Sequence, residues 1–111
     1  MIAVLAALAI VRGSHAPLVL PPPPPSRPVV QIAPAVAAAW MRVATCETGG
    51  HNINGSVYSG MLGISNVNWI VYGGREFAPT AFLASFDQQV AVAIRIQGGA
   101  PVPDSTACAA W

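Results

Sequence analysis

The sequence predicts a small α+β domain, mostly helical, with about three helices around a short β-hairpin. Three observations lead there. Apolar residues recur at helical spacing in segments that open on capping residues and close on glycine pairs. An Asn-Gly dipeptide, Asn54-Gly55, stands between two short stretches suited to strands. The 111 residues leave room for one small domain only.

Part of that length stands apart from the folded unit. Residues 2–11 are apolar without interruption. Such a run is too short for a bilayer-spanning helix, which needs ~20 residues, but it fits the hydrophobic core of a secretory signal. Ser14-His15-Ala16 places small residues at the two positions that a signal peptidase reads, so residues 1–16 are expected to be a signal peptide cleaved after Ala16. The first cation, Arg12, follows the apolar run rather than preceding it. The competing readings are therefore a start further upstream, a buried helix or an uncleaved anchor. Residues 17–33 form a Pro-rich linker, in which 21–25 are all proline. A stretch without backbone donors favours an extended polyproline II conformation and reads as a stiff spacer. The folded domain is expected over 34–111.

Pro34 suits the first turn of a helix, and 35–46 contain neither glycine nor proline. Trp40, Val43, Ala44 and Glu47 fall at i, i+3, i+4 and i+7, so Glu47 closes an apolar stripe before Gly49-Gly50 ends the helix. Asn54-Gly55 suits the two left-handed positions of a type I′ turn and predicts a hairpin at about 51–60. Asn54-Gly55-Ser56 also matches a glycosylation sequon, although the turn accounts for these residues without it. Ser65 is placed to cap a short helix over 66–72, stopped by Gly73-Gly74. Ser85 and Gln88 have the spacing of a capping box. The helix they open carries Phe86, Val90, Ala93 and Ile94 on one face, with Asp87 in its first turn and Arg95 in its last, both suited to the helix dipole.

Composition excludes several partners. Charged residues make up 8%, the net charge is +1 and there is no lysine, so the chain carries neither a nucleic-acid footprint nor a polybasic membrane patch. The mean hydropathy of +0.56 comes largely from alanine and the leader. Cys46 and Cys108 read as one disulfide in an exported protein, or as two buried thiols in a cytosolic one. The only histidines are His15 and His51, and no Cys-x-x-Cys or His-x-x-x-His spacing occurs, so no metal site is expected.

Of the four acidic residues, three have structural readings. Asp87 is a first-turn helix residue, Glu76 stands beside Arg75 in a loop, and Asp104 lies in a Pro-rich tail. Glu47 is different: it ends a helix, adjoins Cys46, and precedes by two residues a glycine pair that lets a substrate approach the backbone closely. A carboxyl continuing an apolar face is expected to be partly desolvated, and desolvation favours the protonated form that a glycosidase acid needs.

The segment Trp40-Met41-Arg42-Val43-Ala44-Thr45-Cys46-Glu47-Thr48-Gly49-Gly50 resembles the opening of the resuscitation-promoting factor catalytic domain, a lysozyme-like transglycosylase family. The resemblance continues through Tyr58-Ser59-Gly60-Met61-Leu62-Gly63-Ile64, Trp69 and Tyr72-Gly73-Gly74. It resumes at Ala84-Ser85 with Gln88-Gln89-Val90-Ala91-Val92-Ala93-Ile94-Arg95-Ile96 and ends near Cys108, covering about 38–111 in the family's order and spacing.

That resemblance implies a compact lysozyme-like domain that cleaves the β-1,4 bond between N-acetylmuramic acid and N-acetylglucosamine in peptidoglycan. The family's catalytic glutamate falls on Glu47, its disulfide on Cys46–Cys108, and its groove-lining aromatics on Tyr58 and Trp69. Aromatic rings suit a glycan groove because apolar sugar faces stack on them; core packing is the competing reading for Trp69. Gly63 and Asn68 fall on further substrate-binding positions. The chain departs from the family pattern at His51-Asn52, where a tryptophan commonly follows the glycine pair. It departs also at Met61, usually glycine, at Gly63, where many members carry glutamine, and at Asn68, often threonine. These departures fall on substrate contacts rather than on the acid.

The implied partners are peptidoglycan glycan strands and other cell-wall hydrolases. No cofactor is implied, and the chain is expected to be a secreted, cell-wall-located monomer. Because glycosidases that use a carboxylate nucleophile or base need two acids, a lone Glu47 points towards lytic transglycosylation, with the same carboxyl serving as acid and then base. Hydrolysis by water is the close alternative. A non-catalytic cell-wall binding module on the same fold is the reading from a different class.

Overall fold

A computed structural model of the chain describes residues 17–23 and 28–104. The expectations for the leader at 1–16 and for Cys108 lie outside the described residues.

Helix α1 (Pro34–Thr48) has proline in its first turn, and Gly49 caps it at φ 67° with its N–H on the Ala44 carbonyl. Its buried residues are Trp40, Val43 and Ala44. The stripe read from the sequence is therefore real up to Ala44.

Three short strands follow, β1 (Ile53–Asn54), β2 (Tyr58–Gly60) and β3 (Ile64–Ser65), in an antiparallel sheet of order β1-β2-β3. Ile53 pairs with Gly60 and Asn54 with Ser59, while Tyr58 pairs with Ser65 and Ser59 with Ile64. The hairpin stands where it was expected, but its turn is not type I′. Neither Asn54 nor Gly55 has a positive φ. Pairing continues one step further, the Gly55 N–H donating to the Tyr58 carbonyl at 2.9 Å, so that Ser56-Val57 form the tip. The reason lies in Asn66. Its side-chain amide donates to the carbonyls of Gly55 (3.2 Å) and Ser56 (3.0 Å), and its backbone N–H donates to that of Val57 (2.8 Å). With three tip carbonyls satisfied from outside, no left-handed turn is needed to close the hairpin.

Helix α2 (Asn66–Val71) starts at Ser65, whose hydroxyl accepts from the Asn68 N–H at 3.0 Å. Two single 3₁₀ turns, Gly74–Glu76 and Ala81–Leu83, lead to helix α3 (Phe86–Ile96). Both bonds of the expected capping box are made: Gln88 N–H to Ser85 Oγ (3.1 Å) and Ser85 N–H to Gln88 Oε1 (2.9 Å). The buried face of α3 is Gln89, Val90, Val92 and Ala93, whereas Phe86 and Ile94 are half-buried and pack at the core's edge. The face is thus turned relative to the one read from apolar residues alone.

The core joins Trp40 and Val43 of α1, Leu62 and Ile64 of the sheet, Trp69 of α2, and Val90, Val92 and Ala93 of α3. Trp69 is 1% exposed and donates its indole N–H to the Ala78 carbonyl at 2.9 Å. Gly74 lies against that indole so closely that a Cβ there would collide with ring atoms Cδ2 and Cε2. Close contact of backbone on ring is what requires glycine at this position.

Both ends of the described domain fold back onto it. Ile32 donates its N–H to Asp87 Oδ2 (3.2 Å), Gln88 reaches the Pro28 carbonyl (3.2 Å), and Val30 and Ile32 pack against the core. Packing therefore reaches across the boundary expected at 34. At the other end the Trp40 indole N–H donates to the Pro101 carbonyl at 2.8 Å, bringing the tail against α1. Among the described residues no helix is long and apolar enough to cross a membrane.

Candidate active site

A cleft of about 310 Å³ opens beside the C-terminal end of α1, lined by Glu47, Ile53, Tyr58, Leu62 and Gly63. The last turn of α1 delivers Glu47, β1 and β2 deliver Ile53 and Tyr58, and the turn between β2 and β3 delivers Leu62 and Gly63.

That turn is held by side chains from two helices. The Met61 N–H donates to Gln89 Oε1 of α3 at 2.7 Å, and the Met61 carbonyl accepts from Thr48 Oγ1 of α1 at 2.7 Å. Gln89 is 1% exposed, and its Nε2 donates to the carbonyls of Ala81 (2.9 Å) and Ala84 (3.2 Å) and to Asn52 Oδ1 (3.4 Å). A buried amide bonded at both ends fixes its neighbours, because its loss would leave the Met61 N–H and the Ala84 carbonyl without their partner. The double hold on Met61 sets the two residues that follow it, Leu62 in the core and Gly63 facing the cleft. Gly63 has φ 64°, and a Cβ built there would lie 3.9 Å from the Glu47 Cβ and 3.7 Å from Thr48 Cγ2. Bare backbone thus faces the acid.

Glu47 itself is exposed. This corrects the expectation of a carboxyl already desolvated by the protein: the stripe on α1 is buried only to Ala44, and one turn further the helix end overhangs the cleft. The other three acids are engaged elsewhere. Glu76 pairs with Arg95 at 2.8 Å, Asp87 accepts from Ile32, and Asp104 lies in the tail, its N–H on Gln97 Oε1 at 3.1 Å. None of them lines the cleft. Arg95 also donates to the Tyr72 carbonyl and lies 5.2 Å from the centre of the Phe77 ring, so Glu76 belongs to a brace between α2 and α3 rather than to Arg75 beside it. Among the described residues no group of three metal-ligating side chains occurs.

Four of the five site residues read from the sequence come together. Glu47, Tyr58 and Gly63 line the main cleft, and Asn68 lines a smaller recess that shares Tyr58 and Gly63 with it. Trp69 does not join them. At 1% exposure it has no surface to offer a glycan, and the core-packing reading is the one its burial bears out. Tyr58, by contrast, is 54% exposed. His51 is exposed and lines neither cavity. Sequence reasoning missed Gln89, Asn66 and Thr48, which position the cleft without lining it. For Gln89 a signal was present: it precedes Val92, Ala93 and Ile96 by three, four and seven residues, a polar group inside an apolar stripe.

A family model described as a transglycosylase-like domain matches residues 34–103. The chain is similar to resuscitation-promoting factor Rpf1 of Corynebacterium glutamicum, with 46% identity over 61% of this chain and 38% of that protein. It is similar also to resuscitation-promoting factor RpfA of Mycobacterium tuberculosis, with 46% identity over 60% of this chain and 17% of that protein. A further relative, Rpf2 of Corynebacterium glutamicum, is 38% identical over 57% of this chain and 17% of its own length. The chain thus spans well under half the length of these relatives.

Proposed function

The chain belongs to the transglycosylase-like domain family, the domain it shares with the resuscitation-promoting factors, and from that premise we propose that it cleaves the β-1,4 bond between N-acetylmuramic acid and N-acetylglucosamine in peptidoglycan, with Glu47 as general acid and base. The observation that carries this reading is that Glu47 is the one acid lining the cleft, opposite a glycine and beside an exposed tyrosine.

A glycan strand laid across the cleft stacks an apolar sugar face on Tyr58 and passes over the bare backbone of Gly63. Covering Glu47 excludes water from the cleft and sets the carboxyl against the glycosidic oxygen. That acid gives its proton to the glycosidic oxygen as the bond to the anomeric carbon breaks. The resulting carboxylate then takes a proton from the muramic acid C6 hydroxyl as that oxygen closes a 1,6-anhydro ring. A second carboxylate is not required, in keeping with the cleft's lining. Water in place of the C6 hydroxyl gives hydrolysis.

The test incubates the protein with purified peptidoglycan and weighs the soluble products, with Glu47→Gln alongside. Anhydro-muropeptides from wild type alone establish the transglycosylase, and reducing ends a hydrolase. Equal release by both proteins overturns the role of Glu47. Retention on cell walls without release by either supports a binding module instead.

Two further features complete the proposal. The protein works outside the cell at the wall, with residues 1–16 removed; secreted material beginning at any residue other than Pro17 contradicts that cleavage. A Cys46–Cys108 disulfide ties the tail to α1. It is supported by the Trp40–Pro101 bond, which already brings the chain back to α1 seven residues before Cys108. Closing a loop of 108 − 46 = 62 residues stabilises the fold by roughly 4 kcal/mol in the chain-entropy model. Free-thiol titration of the unfolded, unreduced protein checks it: two reactive thiols exclude the bridge.

A further inference from the structure

Residues 28–32 belong to the stretch that composition marks as a spacer, yet side chains of the domain hold their backbone. Val30 and Ile32 are half-buried and pack against the core, while Val29 and Gln31 are exposed. That alternation is the two-residue period of an extended segment laid with one face on a surface. Its partners are two consecutive residues in the first turn of α3. Asp87 Oδ2 accepts from the Ile32 N–H at 3.2 Å, and Gln88 Nε2 donates to the Pro28 carbonyl at 3.2 Å. The other end of the Gln88 amide serves the helix cap, its Oε1 accepting from the Ser85 N–H at 2.9 Å. One side chain therefore joins this strap to the start of α3.

The next residue is Gln89. Its Oε1 accepts from the Met61 N–H at 2.7 Å and so holds the turn that sets Gly63 against Glu47. Strap and cleft are thus attached to three successive residues, Asp87, Gln88 and Gln89. A helix frays from its first turn, where the leading N–H groups have no partner within the helix. Fraying that reaches Gln89 draws it away from Met61 and leaves Thr48 as the remaining side-chain hold on the turn. Each bond to the strap opposes that local opening. We propose that Asp87 and Gln88 are positioning residues for the reaction at Glu47: they dock residues 28–32, and the docked strap keeps Gln89 on the cleft turn. The proposal rests on the peptidoglycan reading above and adds to it a segment that precedes the domain boundary expected at 34.

The test uses the full chain and reads the Met61 amide directly, by hydrogen exchange followed by NMR. Gln88→Glu keeps the acceptor for Ser85, and so the capping box, but sets a carboxylate against the Pro28 carbonyl. Val30→Asp combined with Ile32→Asp undocks the strap without touching α3. In both variants exchange at Met61 is expected to rise about tenfold, roughly the factor that one lost hydrogen bond represents. The Gly55 amide, held to the Tyr58 carbonyl in the hairpin, is expected to exchange as in wild type. Asp87→Ala is expected to act like the undocked variants, and Asp87→Asn, which retains an acceptor for Ile32, to restore protection. On peptidoglycan the undocked variants are expected to lower kcat about threefold or more and leave KM within about twofold, because a loosened turn costs orientation rather than a contact. Unchanged exchange at Met61, or an equal rise at Gly55, overturns the strap's hold on the turn. Faster exchange at Met61 with unchanged kcat overturns the positioning role. If wild type releases nothing from peptidoglycan, the proposed reaction fails separately, and the Met61 amide still decides whether the strap holds the turn.

Discussion

Glu47 and Tyr58 stand exposed at the cleft, and neither side chain makes a hydrogen bond to another described residue. Gln89, one helix behind them, is 1% exposed and has both ends of its amide bonded, to Met61, Ala81, Ala84 and Asn52. The rim keeps its hydrogen-bonding capacity for a ligand, whereas the frame uses its own entirely to hold the rim. Removing a rim group takes away an interaction that the folded protein does not make with itself. Removing a frame group leaves buried partners unsatisfied or a cavity behind. Activity and stability should therefore separate along this division.

The largest expected effect is on the rim. Glu47→Gln should lower peptidoglycan cleavage by about a hundredfold or more, the usual contribution of a positioned general acid, with the thermal midpoint unmoved. A fall in the midpoint matching the fall in rate would erase the contrast. Next comes the frame at its bulkiest point. Trp69→Ala should destabilise the fold by about 3–5 kcal/mol, through lost burial and the cavity left behind, as read by urea denaturation. Were Trp69 a glycan contact instead, the change would fall on KM and leave stability intact.

Gln89→Leu tests the connection between the two regions. It strands the Met61 N–H and the Ala84 carbonyl, while the Ala81 carbonyl keeps the Ala84 N–H, at a cost of about 1–3 kcal/mol for each buried group left unsatisfied. It should also slow cleavage, because the turn carrying Gly63 loses one of its two side-chain holds. Loss of stability with full activity per folded molecule would show that Thr48 alone positions that turn. The smallest effect is expected at the exposed brace. Glu76→Gln should cost less than about 1 kcal/mol, since a solvent-exposed ion pair contributes little. It should leave cleavage unchanged, in keeping with its place away from the cleft.

How much of this was legible in the sequence differs from element to element. The capping box at Ser85 and Gln88, the Ser65 cap and the Gly49 stop are local signals, and each helix begins or ends where they stand. The hairpin was legible in position but not in its turn, because the tip carbonyls are satisfied by Asn66, a residue outside the hairpin. Strand β3, two residues long, has too little pattern to read and exists through its pairing with β2. Tyr58 and Trp69 could not be told apart as groove or core from residue type. Both are large aromatics, and only their exposure of 54% and 1% separates them.

By itself the sequence determined the helices, their caps and the family resemblance that singled out Glu47. These follow from spacing, backbone preference and residue order, which are properties of neighbours along the chain. The tertiary structure alone decided that the Glu47 carboxyl is exposed rather than buried and that Met61 is held from two helices. It also decided that Gly63 opens the cleft into the Asn68 recess. Each of these depends on groups more than ten residues apart meeting in space, such as Gln89 with Met61 and Thr48 with Met61. Such contacts form only when the core has closed, so no local pattern announces them.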